Sequence, residues 1–351
     1  MENMKYVRKG RKGDNELILR LVSILAQGQT EYLIPLLRQL NTTEKKKVAV
    51  LLRDIDRLKW EDYSFTPDEG VEDCLAYSRF VCFSKSDIEY IKKDEESWRL
   101  FPSPEKLLSI LEWYRPNWFT DYYNELFEQN RIYIPYLYLI QWKRAGLITS
   151  TPPARIADIF PYLFWINGDI NQPERFLIEL VTFYPEILED ICTVFAYPCD
   201  VAQQDKSSVL HVGMPYGPIT TILRQYSRYG TPNRMWILKE SLAAHNRGFK
   251  KIQSGWYADL FMAMEPSCEE LLELQNELLS SLHSPCSKGV HTALKCIKRI
   301  CPEKTFRSND FIPLVPMLLS SSHKSIQVAT LAVMKLLAQS HPCQSVDKES
   351  A

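Results

Sequence analysis

Apolar residues recur at the three-and-four spacing of an α-helix along almost the whole chain, and no run of useful length alternates with the period of two that a half-buried strand requires. That pattern confines the chain to the all-α fold class. Leu17, Leu21, Ile24 and Leu25 form one stripe that Gly28 closes, and Leu33, Leu36, Leu37 and Leu40 form the next, with Thr30 as its cap. Asn41 and Glu44 stand three apart as in a capping box, ahead of Val48, Leu51, Leu52, Ile55 and Leu58. Ser103-Pro104, Thr151-Pro152-Pro153, Gln172-Pro173 and Thr231-Pro232 place proline where a helix starts, since its missing N–H is not needed in a first turn. Ser267 with Glu270 is a second capping box.

With 351 residues, 45% of them hydrophobic, the chain can bury a large core, as one extended repeat array or as two ordinary domains. The 42 basic and 43 acidic residues nearly cancel, so no global field draws the protein to nucleic acid or anionic lipid, and any such binding needs a local patch. The first fifteen residues are polar and basic, unlike a secretory signal. The longest aromatic-aliphatic run, Ile132 to Trp142, holds Pro135 and falls far short of the ~20 residues that span a bilayer. None of the nine cysteines forms a CxxC pair, which fits reduced thiols in small core positions. The expectation is a soluble cytoplasmic chain with no membrane partner.

Residues 199–218 are rich in turn formers and poor in periodicity, and read as a loop between an N-terminal helical region, 1–198, and a C-terminal region, 219–343, with a polar tail at 344–351. The C-terminal region repeats itself. Lys288, Val290, Ala293, Cys296, Ile297 and Ile300 align with Lys324, Ile326, Ala329, Ala332, Val333 and Leu336, and the preceding segments LLSSLHS and LLSSSHK start at Leu278 and Leu318. Small residues at Ala293, Cys296, Ala329 and Ala332 let each second helix approach its neighbour, as stacked helical hairpins require.

These residues resemble HEAT repeats, in which a first helix containing proline is followed by a turn and a second helix with spaced alanines. Leu314 to Leu319, with Pro316, followed by Ser325 to Leu336 carry the likeness, and prolines inside first helices recur at Pro35, Pro135 and Pro313. Ser322 stands where such repeats usually place aspartate. The resemblance implies an α-α superhelix, a HEAT/ARM-like solenoid of antiparallel helix pairs. Over about residues 215–340 the chain also resembles an uncharacterised bacterial family known only as a domain of unknown function. The shared pattern is an Arg…Leu…Asn-Arg stretch (Arg234 to Arg247), then Trp256-Tyr257, then Pro266 before an acidic helix, then HEAT-like pairs. That likeness implies no chemistry.

Several constellations carry both a functional and a plain structural reading. His283, Cys286, His291, Cys296 and Cys301 invite a zinc site, yet His291 and Cys296 lie five apart, roughly 140° round a helix, and do not converge. They read as core thiols and surface histidines, and no metal is expected. Mechanism-bearing motifs for nucleophilic, metal or phosphate chemistry are absent, and glycine is scarce at 12 residues, so neither an enzyme nor a cofactor is expected. Aromatic residues crowd 98–142, where Trp113, Trp118 and Tyr122 could line a partner groove or fill the core. Arg224, Arg228, Arg234, Arg247, Lys250 and Lys251 could form a basic stripe or merely a solvated face. At the end of its helix Arg247 could brace free carbonyls or present a guanidinium to an acidic partner. The function expected is a non-enzymatic scaffold that binds another protein. The alternative is a nucleic-acid-binding HEAT-like protein of the DNA glycosylase kind.

Overall fold

The computed structural model describes residues 16–61, 68–91, 100–163, 173–227 and 232–340. Among these residues every regular element is a helix and none is a strand, as the apolar period demands. No helix among them is long and apolar enough to cross a membrane. The chain divides into two compact units, Met1–Thr151 and Pro152–Ala351.

The first unit contains α1 (Glu16–Gln27), α2 (Thr30–Gln39), α3 (Thr42–Glu61), α4 (Glu69–Cys82), α5 (Lys85–Ile91), α6 (Pro104–Leu111), α7 (Phe119–Glu128) and α8 (Tyr136–Arg144). Helix α4 is its centre and packs on α1, α2 and α3. Its residues Val71, Cys74, Leu75, Phe80 and Val81 are buried around the whole circumference, so this helix lacks the one-sided stripe of a surface helix. The capping box before α3 forms as expected: the Asn41 carboxamide oxygen accepts from the Thr43 and Glu44 amides, and the Asn41 amide donates to Glu44 at 2.9 Å. Of the three prolines expected inside helices, Pro35 alone lies within one; Pro135 sits at the N-cap of α8, where its ring needs no donor.

The second unit contains α9 (Pro153–Ile159), α10 (Pro173–Phe183), α11 (Ile187–Asp190), α12 (Thr193–Ala196), α13 (Val201–Val212), α14 (Pro218–Tyr226), α15 (Arg234–Ala244) and α16 (Lys251–Ala263). It continues with α17 (Cys268–Glu273), α18 (Gln275–Ser281), α19 (Ser287–Ile300), α20 (Ser308–Phe311), α21 (Val315–Leu319) and α22 (Lys324–Ser340). Three helical pairs follow one another, α15 with α16, α18 with α19, and α21 with α22. Helix α13 touches α16, α16 touches α19 and α19 touches α22, while α12, α15 and α18 touch in turn. Pro313 lies in a short 3-10 turn between α20 and α21, and Pro316 in the first turn of α21, so the final first helix is broken into pieces.

Two sequence expectations need correction. Residues 199–218 are not a loop throughout, because Val201–Val212 is helical and ends on Gly213 at φ 74°, a left-handed position that suits glycine. Its buried face is built from Val201, Ala202, Asp205 and Ser208, so polar side chains hide the stripe. The helix after Thr231-Pro232 starts at Arg234, because the Asn233 carboxamide accepts from the Trp236 amide at 2.7 Å and fixes the N-cap there; Thr231 lies outside the described residues. The Ser267–Glu270 box forms in full.

Candidate partner-binding groove

Helix α14 begins Gly217-Pro218, and Gly217 has no side chain with which to cap the free amides of the first turn. Asp205 of α13 supplies the acceptor from outside. Its carboxylate accepts from the amides of Ile219 at 2.9 Å and Thr220 at 3.1 Å, from the Thr220 hydroxyl at 2.7 Å and from the Trp256 indole at 3.0 Å. Burial pushes the Asp205 carboxyl above its ordinary range, while the four donors oppose that shift. A Cβ on Gly217 would lie 2.3 Å from the Asp205 carboxyl carbon, so this glycine is required by packing. Asp205 thus ties α13, the turn before α14 and α16 into one rigid wall.

That wall bounds a groove of about 1030 Å³ lined by residues of α13, α16 and α19. Ala202 and Lys206 line it from α13, Ile252, Gly255 and Met262 from α16, and Lys288 from α19. Ile252 is 57% exposed and Met262 39%. Lys288 pairs with Asp259 at 2.5 Å. Lys206 and Lys251 are exposed and have no carboxylate partner among the described residues.

The residues singled out in the sequence separate into three groups. Trp118 and Tyr122 belong to the core, not to a groove: Trp118 is 2% exposed, donates its indole N–H to the Phe83 carbonyl at 3.0 Å and packs with Phe80, Phe101 and Tyr122. Phe80, Phe83, Phe101, Trp118, Phe119, Tyr122, Tyr123 and Trp142 form one connected cluster of buried rings, and burial wins. Trp113 is half-buried under the Arg38 guanidinium, 5.0 Å from its ring centre. Three of the arginines are joints. Arg234 grips Glu270 at 2.6 Å and the Met264 carbonyl at 2.7 Å, which holds the Glu270 carboxyl below its ordinary range. Arg224 covers the Tyr216 ring and reaches Glu265 at 3.3 Å. Arg247 donates to the Phe195 carbonyl at 2.5 Å and to the Glu240 carboxylate, so it braces a carbonyl, though of α12 and not of its own helix end. Lys250 and Lys251 remain exposed at the start of α16, and Arg228 lies outside the described residues.

Burial pushes the thiols of Cys74, Cys82 and Cys199 up to about 12 and those of Cys192 and Cys296 up to about 11, so all five are protonated at neutral pH. Among the described residues no three His, Cys, Asp or Glu side chains converge to hold a metal. His245, missed in the sequence, is the unusual titratable group. It is 1% exposed, neither ring nitrogen finds a partner, and burial lowers its pKa to about 4. A Cβ on Gly289 of α19 would meet its ring at 2.9 Å, so the glycine makes room for the imidazole.

The fold and groove define an all-helical protein of paired helices. The family model for DUF6493, a domain of unknown function, matches residues 15–325, and the chain belongs to that family. The match extends well beyond the 215–340 stretch in which the sequence pattern was visible, and it includes nearly all of the first unit. No curated protein and no solved structure matches the chain.

Proposed function

We propose that the second unit is a HEAT-like α-solenoid whose row of second helices, α13, α16, α19 and α22, binds another protein, with no chemistry of its own. The observation that carries this reading is the groove over α13, α16 and α19, which leaves Ile252 and Met262 open to solvent beside unpaired lysines. A stacked helical array with an exposed amphipathic face is suited to holding an extended partner, because each added pair lengthens the binding surface without disturbing the core. The nucleic-acid reading draws less support. Arg224, Arg234 and Arg247, the planar donors that suit phosphate best, are spent on Glu265, Glu270, Glu240 and main-chain carbonyls.

A photo-reactive benzoylphenylalanine replacing Ile252 tests the proposal in the native cell, with the same group replacing the exposed Tyr90 of the first unit as the reference. The proposal expects cross-links from position 252 to a discrete set of protein segments that position 90 does not capture. Cross-links shared equally by both positions, or tight and steeply salt-dependent binding of duplex DNA by the purified chain, would overturn it.

A further inference from the structure

We infer that the groove over α13, α16 and α19 accepts an acidic segment of the partner that carries large apolar side chains. This deepens the scaffold reading and rests on it. Two independent features point to the occupant. The first is charge: Lys206 and Lys251 flank the groove without carboxylate partners, while the Lys288 ammonium, engaged by Asp259, keeps two further N–H donors for a ligand. Asp205, the other acid in the lining, is buried, and its two oxygens are engaged by four donors.

The second is Gly255. It sits in the interior of α16, where glycine is the worst residue for a helix apart from proline. Its backbone is ordinary right-handed helix, and an added Cβ would touch nothing closer than the Lys288 side chain at 3.6 Å, an ordinary contact. Gly217 and Gly289 are demanded by Asp205 and His245, but nothing in the fold demands Gly255. A glycine that weakens its helix and lies on the floor of a groove, between Ile252 and Met262, lets an occupant come within reach of the main chain. An apolar side chain fits that floor, and flanking carboxylates meet the lysines at the rim, the arrangement by which grooves grip amphipathic helices. Nucleic acid is a poorer occupant: of the two rings in the lining, Trp256 is buried and Tyr216 already carries the Arg224 guanidinium on one face, which leaves little on which bases could stack.

The probe is a fluorescent amphipathic peptide of glutamate, leucine and phenylalanine, roughly 16 residues or about four helical turns long. Its counterpart has lysine in place of glutamate, and a short duplex DNA is the third probe. By fluorescence anisotropy the intact chain should bind the acidic peptide and neither of the others, and binding should weaken as salt is raised. The double variant Lys206→Glu/Lys251→Glu and the single variant Gly255→Leu should each weaken it about tenfold or more, whereas Lys304→Glu, beyond the end of α19, should not. Gly255→Ala should raise Tm, since the fold has no use for the glycine. A lower Tm for Gly255→Ala, undiminished binding in both groove variants, or equal affinity for the lysine peptide or the DNA would overturn the inference. The scaffold reading has its own readout: cross-links from position 252 to segments without acidic character would leave it standing while the inference falls, and their absence would remove both.

Discussion

Replacing Asp205 by asparagine alters one atom and should nevertheless unsettle the whole second unit. In the native structure Oδ2 accepts from the Thr220 amide, the Thr220 hydroxyl and the Trp256 indole, and Oδ1 accepts from the Ile219 amide. Asparagine has a single oxygen, so its NH₂ must face at least one of these donors, and a donor then meets a donor in a site shielded from water. One buried donor left without an acceptor costs about 1–3 kcal/mol, and the lost trans cap on α14 adds about 1 kcal/mol. Relief of the buried charge returns part of this, because burial already raises the Asp205 carboxyl. The net loss should be about 2–3 kcal/mol for Asp205→Asn and larger for Asp205→Ala, which abandons all four donors. Urea unfolding followed by circular dichroism measures the loss, and hydrogen exchange localises it: the amides of Ile219 to Thr221 should lose protection first. A midpoint unchanged to within about 0.5 kcal/mol for Asp205→Asn, with protection retained in that turn, would refute the view that this carboxylate holds the wall together.

Arg247→Ala removes a guanidinium that satisfies the Phe195 carbonyl and Glu240, and should cost about 1–3 kcal/mol while leaving binding of the acidic peptide unchanged; stability intact with affinity lost would reverse the assignment. His245 is held neutral in the fold, with a pKa of about 4 against the ordinary 6.5, so its contribution is complete above pH 6.5 and is lost as pH falls towards 4. The loss should approach about 3 kcal/mol, and denaturant midpoints of the His245→Leu variant should lack this part of the acid decline. Ala293→Leu should overpack the fully buried contact of α19 and cost about 1–3 kcal/mol, whereas Ala329→Leu, half-buried on α22, should cost less than about 1 kcal/mol; equal losses measured by thermal unfolding would contradict this order.

The features legible in the sequence were those fixed by neighbours in the chain. Asn41 with Glu44, Ser267 with Glu270, and prolines 104 and 153 announced helix starts because capping is a matter of three or four residues. The aligned spacing from Lys288 to Leu336 is a feature of the chain itself, and the two helices that carry it, α19 and α22, pack on each other. Where surroundings differ, the alignment misleads. Ala293 has helices on both sides, but Ala329 lies on the last described helix, and the same residue is buried in one place and half-open in the other. Helix α13 was missed since two of its inward positions are Asp205 and Ser208, whose value is evident only once Gly217-Pro218 is seen to open a helix with no cap of its own. That uncapped start was a usable signal, as was Gly255 in the middle of an otherwise regular helix.

The basic residues were misjudged for a physical reason that bears on where a partner docks. Arginine and lysine count equally in a tally of charge, but the fold uses them differently. Arg79 is buried against Asp56 and the Leu100 carbonyl, Arg299 reaches the Pro266 carbonyl at 2.8 Å, and Arg224, Arg234 and Arg247 each join elements far apart in the chain. A planar fork with several fixed donors can satisfy a carboxylate and a carbonyl together, so arginine suits a joint. Lysine is a strongly hydrated point charge on a flexible stem and remains in solvent unless a partner draws it in. A stretch of sequence dense in arginine is therefore mostly consumed internally, and the unpaired charge beside the groove sits on Lys206 and Lys251. Point charges at a wet rim contribute little affinity each but set orientation and rate of approach, so most of the affinity must come from the floor around Ile252, Gly255 and Met262. The variant that fills the floor should accordingly slow association little and speed dissociation greatly, while reversal of the two rim lysines should act first on association.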